Sequence, residues 1–290
     1  MQDLLERLRK GDDGAWIELR GMGPKLVTAL PALREALKEG DGPMRLRIIE
    51  VLETLRGEAA PAVPELALCL RTGDPAIRAA AADTLATIGA PALGALKESL
   101  QDKQPEVRRA ACRALGTIGA TAAGTVPALV ERLVDTGEAE PVRQRAAWAL
   151  GAIGTDQGVA QMAHVFSTEG GTLGLWIAEA FTSMGRAARP AADALRDELH
   201  RDDPELALAA AGALFALRRH EEQAIWGLIR LLQEKDDEVA TEAALLLGEF
   251  GARATAAIPA LRTAESSEDE DLRRSAKLAI AKIRPEYAQL

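Results

Sequence analysis

The chain has 290 residues, 48% hydrophobic and 27% charged, with aromatic side chains at 3% and a formal charge of −9 from 35 basic and 44 acidic residues. Strands draw on β-branched and aromatic residues, so a row crowded with Ala, Leu, Glu and Arg predicts helix and argues against a sheet-built fold. Residues 1–145 carry 20 basic against 21 acidic side chains and residues 146–290 carry 15 against 23; a grip on nucleic acid calls for a positive footprint, so no nucleic-acid partner is expected.

The first residues, Met1-Gln2-Asp3-Leu4-Leu5-Glu6-Arg7, form a charged amphipathic pattern without the apolar core of a signal peptide. Leu4, Leu5 and Leu8, then Trp16, Ile17, Leu19 and Met22, predict a shortened hairpin over residues 1–23 that caps the first full repeat. No uninterrupted apolar run approaches the ~20 residues a bilayer span needs, so no membrane partner is expected. Cys69 and Cys112 have neither disulfide nor zinc spacing. A reducing, cytoplasmic setting fits them, and no cofactor is expected.

From residue 24 onward the chain repeats. DPAIRAAAADTLATIGA from Asp74, QPEVRRAACRALGTIGA from Gln104 and EPVRQRAAWALGAIGT from Glu140 share a turn, a Pro, an aliphatic residue, an Ala-rich stretch and a closing Ile-Gly. The aliphatic anchor recurs as Met44, Ile77, Val107, Val142, Leu173, Leu206, Val239 and Leu272, mostly 33 residues apart. Eleven residues beyond each anchor stands another apolar residue: Leu55, Ile88, Ile118, Ile153, Met184, Leu217, Phe250 and Ile283. Apolar positions at offsets 0, 3, 4, 7, 8 and 11 make the one-sided stripe of an amphipathic helix. A preceding helix starts near Pro in many units, as at Pro91, Pro127, Pro190 and Pro259, because the first helical N–H has no partner to lose. Gly89, Gly119, Gly154, Gly185 and Gly251 supply the left-handed stop. The pattern is worn at Gly170-Gly171-Thr172, which replaces the turn of the fifth unit, and at Arg218-Arg219, which replaces the Gly of the sixth.

A lone hairpin cannot bury its own apolar face, whereas stacked hairpins can. The units resemble HEAT repeats, specifically the short bacterial type named for phycobilisome lyases, in their Pro-Ala-Leu, Asp/Pro-x-Val-Arg and Ala-Leu-x-x-Ile-Gly segments. A period near 33 lies below the ~40–47 residues usual for HEAT and near that of ankyrin and tetratricopeptide repeats. The Thr-Pro-Leu-His box of the one and the aromatic pattern of the other are missing. The resemblance implies an all-α solenoid, a right-handed superhelix of about eight HEAT-like hairpins, continuous over residues 1–290 as one domain.

Chemistry is thin. His164, His200 and His220 fall on different units without ligand spacing, and His220-Glu221 alone falls short of the several His-Glu pairs of deoxyhypusine hydroxylase, a di-iron HEAT enzyme. Arg45, Arg78, Arg108, Arg143 and Arg273 come directly after their anchors. They form either a basic ladder for an acidic peptide or phosphate, or clamps on acidic and carbonyl groups of the inter-helix turns, such as Asp41, Asp74, Asp203, Asp236 or Asp269. Arg108, Arg109, Arg113, Arg143 and Arg145 are the densest cluster.

Second helices normally line the inner curve of such a superhelix, with offsets 2, 5, 6 and 9 facing the groove. Early units place Glu50, Glu53, Ala79, Asp83, Arg109, Cys112 and Arg113 there; later ones place Trp148, Leu175, Ala178, Leu208, Ala211, Phe215, Ala244 and Leu245. An apolar strip on the open face marks a binding surface, unless neighbouring helices close over it. The expected function is a non-catalytic scaffold holding a peptide or amphipathic helix of another protein on its concave face. Its expected contacts are Trp148, Leu175, Leu208, Phe215 and Leu245, framed by Arg108, Arg109, Arg113 and Arg143. The alternative is a phycobilin-lyase-like or other HEAT-based enzyme.

Overall fold

The computed structural model describes residues 1–234 and 236–285, and these contain helices and turns but no strand. They form two compact units, Met1–Gly158 and Val159–Leu290. The first holds α1 (Gln2–Arg9) and α2 (Asp13–Gly21), then the hairpins α3 (Leu26–Glu39) with α4 (Gly42–Thr54), α5 (Val63–Cys69) with α6 (Pro75–Ile88), α7 (Leu93–Ser99) with α8 (Pro105–Ile118), and α9 (Val126–Val134) with α10 (Glu140–Ile153). Next, α11 (Asp156–Glu169) begins in the first unit and continues into the second. The second unit goes on with α12 (Gly171–Met184), α13 (Ala192–Glu198) with α14 (Pro204–Leu217), α15 (Glu221–Leu231) with α16 (Asp237–Phe250), and α17 (Ile258–Ala264) with α18 (Glu270–Ile283). This is an all-α solenoid of repeated hairpins, preceded by the short α1–α2 pair.

Local chemistry fixes where each second helix starts. Asp41, Asp74, Asp203, Asp236 and Asp269 accept hydrogen bonds from backbone N–H groups two or three residues ahead, capping α4, α6, α14, α16 and α18. Each such cap stabilises by about 1 kcal/mol. Every anchor from Met44 to Leu272 is buried, and Val107 and Val142 are sealed off completely. Of the closing residues, Ile118 and Met184 are half-buried and the rest belong to the core.

Gly89, Gly119, Gly154, Gly185 and Gly251 all have φ between 54° and 78°, but only Gly154, at ψ 29°, is the expected left-handed stop; the other four have ψ between −127° and −141°, an extended turn that also calls for glycine. Most of these glycines are followed by a 3₁₀ segment that periodicity did not announce: Ala90–Ala92, Gly119–Thr125, Gly185–Ala191 and Gly251–Ala257, with Arg56–Ala62 in the first repeat. A 3₁₀ helix turns every three residues, so i and i+3 eclipse. Ala59 with Ala62 and Ala188 with Ala191 are such pairs, all fully buried. Small side chains there let the segment press against its neighbours.

Where the sixth unit lacks its glycine, Arg218 takes the left-handed position at φ 53°, ψ 53°. A side chain with a Cβ costs roughly 1–2 kcal/mol there, relieved by glycine but partly offset by glycine's greater chain entropy. Arg218→Gly is therefore expected to raise the unfolding free energy by about 1 kcal/mol, read as a higher urea midpoint at unchanged slope. A lower midpoint would mean that Arg218 contributes contacts outweighing its backbone strain.

The stretch Asp237–Ala264 has a mean hydropathy of 1.2 over its most apolar window and is long enough to cross a bilayer. It is not one rod. Gly251 at φ 58° and Ala254 at φ −90°, ψ 22° separate α16 from α17, and both helices pack on α18.

Candidate functional site

The arginines next to the anchors turn back over the loop before their own helix. Arg45 donates to the carbonyls of Leu37 and Lys38, Arg78 to Leu70 and Thr72, Arg108 to Asp102 and Lys103, Arg143 to Leu133, and Arg273 to Ser267 and Glu268. Those carbonyls lie at or just past the C-terminal end of a first helix, where helical partners run out. Of the two readings the sequence left open, the geometry supports the turn clamp. The aspartates named as possible partners are occupied instead in capping the second helices.

Arg108 does more. Its Nε bonds Glu138 Oε2 at 2.7 Å and its Nη2 bonds Oε1, a two-pronged pair reaching one repeat along the chain. Arg132 Nη1 adds a contact to Oε2 at 3.2 Å, and the Ala139 N–H donates to Oε1 at 2.8 Å. The Glu138 side chain is only 1% exposed. Burial alone would push its carboxyl up; the guanidinium of Arg108, the Ala139 N–H and the charge of Arg132 overcome that and hold it below the usual carboxylate range. Pairs one repeat apart recur within each unit: Arg34 with Glu65 at 3.0 Å and Arg71 with Asp102 at 2.6 Å in the first, Arg253 with Glu221 at 2.6 Å in the second. Arg109 is exposed, and Arg113 bonds Asp83 at 2.9 Å and the Ala79 carbonyl at 2.8 Å.

Trp148, on α10 in the first unit, is 40% exposed. Its ring lies on the bare backbone of α8 at Gly116, where an added Cβ would come within 2.2 Å of Cζ3. The half-buried Arg145 covers the ring, its guanidinium carbon 5.2 Å from the centroid. Burial, then the nearby charges of Arg109 and Arg113, lower the Arg145 pKa from its ordinary value.

In the second unit α12, α14 and α16 leave an open groove of about 890 Å³. Leu175, Leu208, Ala209, Gly212, Leu245 and Leu246 lie along its floor, with Leu245 42% exposed. The groove therefore brings together Leu175, Leu208 and Leu245 from the expected contact set. Phe215 lies further along α14, half-buried edge-on to Phe250 at 4.7 Å and 5.6 Å beneath the Arg253 guanidinium. Glu179, Glu205, Asp236, Glu238, Glu242 and Glu249 make the walls, and no Lys or Arg lines them among the described residues. Glu249 is bonded to Lys282 at 2.6 Å.

The expected face needs one correction. Offset 5 is core: Cys112, Ala211 and Ala244 are fully buried and Ala178 is 1% exposed. Second helices pack on second helices of the flanking repeats, α8 on both α6 and α10, and α14 on both α12 and α16. The buried stripe is accordingly wider than that of a helix with one neighbour, and burial pushes the Cys112 thiol up to about 12. The acidic walls and the exposed Trp226 of α15, 55% accessible, were not singled out from sequence. Of the histidines, His220 meets Asp193 at 3.2 Å, and Glu221 beside it is taken by Arg253. Among the described residues no three His, Cys, Asp or Glu side chains are placed to share a metal ion.

The family model described as HEAT repeats matches residues 30–105, 63–150 and 95–180, together residues 30–180 and just over half of the chain. The chain belongs to the HEAT-repeat family. This HEAT-repeat protein is similar in structure to a chain of a homology model of the full-length AP-3 complex, with a TM-score of 0.65 at 13% identity over 94% of this chain and 55% of that one. The karyopherin Kap121p bound to Pho4p aligns with a TM-score of 0.60 at 13% identity, and Kap121p bound to the extreme C-terminus of the protein phosphatase Cdc14p with 0.59 at 14%. Both alignments cover 88% of the HEAT-repeat chain but 33% of the karyopherin. At such identities the likeness is one of fold. A search of curated proteins matched none to this chain.

Proposed function

We propose that this HEAT-repeat protein is a non-catalytic scaffold that holds a peptide or helix of another protein in the groove of α12, α14 and α16. The observation that carries the reading is the apolar floor, where Leu175, Leu208 and Leu245 come from three successive second helices. Soluble chains rarely leave contiguous apolar surface open without a use for it. A helix laid in such a groove anchors through residues spaced i, i+3, i+4 and i+7. Kap121p, whose fold is similar, is bound to Pho4p in one structure and to the extreme C-terminus of Cdc14p in another, which supports a protein partner.

The test begins with peptides selected from a displayed random library on the full chain. Leu208→Glu places a charge on the floor and is expected to weaken the selected peptides by at least about 30-fold, roughly 2 kcal/mol. Leu245→Glu, at a more exposed position, gives a second variant should the first lower the thermal midpoint. Undiminished binding by both variants would remove the groove from consideration.

A further inference from the structure

The walls of this groove say what kind of segment it takes. Six carboxylates border the apolar floor, and Lys282 at Glu249 is the only cation bonded to any of them among the described residues. Glu179, Glu205, Asp236, Glu238 and Glu242 are exposed; Asp236 caps α16 through the N–H groups of Glu238 and Val239, and the other four have no described ion-pair partner. Like charges gathered around one depression repel one another, and a ligand of opposite sign removes that repulsion while gaining attraction.

We infer that the occupant is a cationic amphipathic helix, with Leu- or Ala-sized side chains on one face and Lys or Arg along both edges of that face. Small and medium aliphatic groups suit a floor of Leu, Ala and Gly. At Gly212 an added Cβ would meet only Leu246 Cδ2, at 3.9 Å, so the backbone leaves space in the middle. Lys and Arg lay their methylene stems on apolar surface while the charged ends reach outward. Stems on the floor and ends at the carboxylates give both parts of the groove a partner, and water expelled from the floor strengthens the pairs at its edge. An anionic helix with the same apolar face would bring its charges against Glu179, Glu205 and Glu242 and be rejected by repulsion.

This rests on the scaffold reading, and the experiment separates the two. Two helix-forming peptides are made with one identical Leu/Ala face, one carrying Lys on its remaining positions and the other Glu, and titrated onto the full chain by calorimetry at low and high salt. The Lys peptide is expected to bind at least about ten-fold more tightly, with an advantage that shrinks as salt screens it. In the doubly substituted Glu179→Lys, Glu242→Lys chain the preference is expected to narrow or reverse, with the thermal midpoint checked for each protein. Equal affinity for the two peptides, with both lost on Leu245→Glu, overturns the cationic occupant and leaves the scaffold standing. A Lys peptide whose binding ignores Leu245→Glu but follows salt shows a diffuse attraction to the acidic surface and overturns the groove as its seat. Binding of neither peptide overturns the inference and counts against the scaffold as well.

Discussion

Arg108→Ala is expected to lower the unfolding free energy by about 3 kcal/mol, a large effect for one repeat-joining side chain. Surface ion pairs contribute about 0–1 kcal/mol, but this pair is of another kind. The Glu138 side chain is 1% exposed and that of Arg108 15%, so removing the cation leaves a carboxylate in a dry site with only Arg132 and one N–H for support. Stranding a buried charge costs roughly 3–5 kcal/mol; Arg132 places the expectation at the lower end. The carbonyls of Asp102 and Lys103 also lose their donor. The sign with pH comes from the lowered Glu138 pKa. A carboxyl that is more acidic in the folded chain than in the unfolded one stabilises above its unfolded pKa, and the benefit fades as pH falls through the folded value. The gap between wild type and Arg108→Ala should thus be full near neutrality and close in acid. A loss under about 0.5 kcal/mol at pH 7, or a gap that does not depend on pH, would mean that Arg108 stabilises only by packing.

Gly116→Ala is expected to destabilise by about 1–3 kcal/mol, the usual cost of overfilling a packed contact. The new methyl would stand 2.2 Å from Trp148 Cζ3, 2.7 Å from Cε3 and 3.0 Å from the Ala149 Cα. The ring can swing away because it is partly exposed, but the backbone of α10 can only shift with its helix. The coupling is the informative part: Gly116→Ala in a Trp148→Ala background removes the ring clash and leaves the smaller backbone one, so the two costs should fall short of additivity by about 1 kcal/mol or more. Tryptophan emission compared with Trp148→Phe reports whether the ring has moved into water. Strict additivity with unchanged emission would contradict the stacked ring. The same geometry says that Trp148 is held by its own unit, by Gly116 below and Arg145 above.

Much of the fold was legible because each repeat states it again. An anchor, an apolar residue eleven positions on and a glycine stop are local rules, and stacking reinforces them in every unit. The 3₁₀ segments were not legible, since Ala59 and Ala62, or Ala188 and Ala191, read as ordinary helix formers until three-residue eclipsing shows why alanine is needed. The groove was half legible. Leu175, Leu208 and Leu245 are given by helical phase, but that phase also put Cys112, Ala178, Ala211 and Ala244 on the open face. Whether offset 5 meets water depends on a helix about thirty residues away. The acidic walls are a sum over three helices, and each Glu in isolation looks like a solvated surface residue. Arg108 looked like a ligand for something external because its partner Glu138 belongs to the next turn, which sequence proximity does not reveal.

Methyl NMR of the leucine-labelled full chain, recorded as a library-selected peptide is added, shows whether a partner lies on the floor made by α12, α14 and α16. The largest shifts are expected on Leu175, Leu208, Leu245 and Leu246, while the sealed Leu85 and Leu115 of the first unit stay where they are. Shifts concentrated on any other surface, with those four methyls unmoved at saturation, would contradict a partner on that floor.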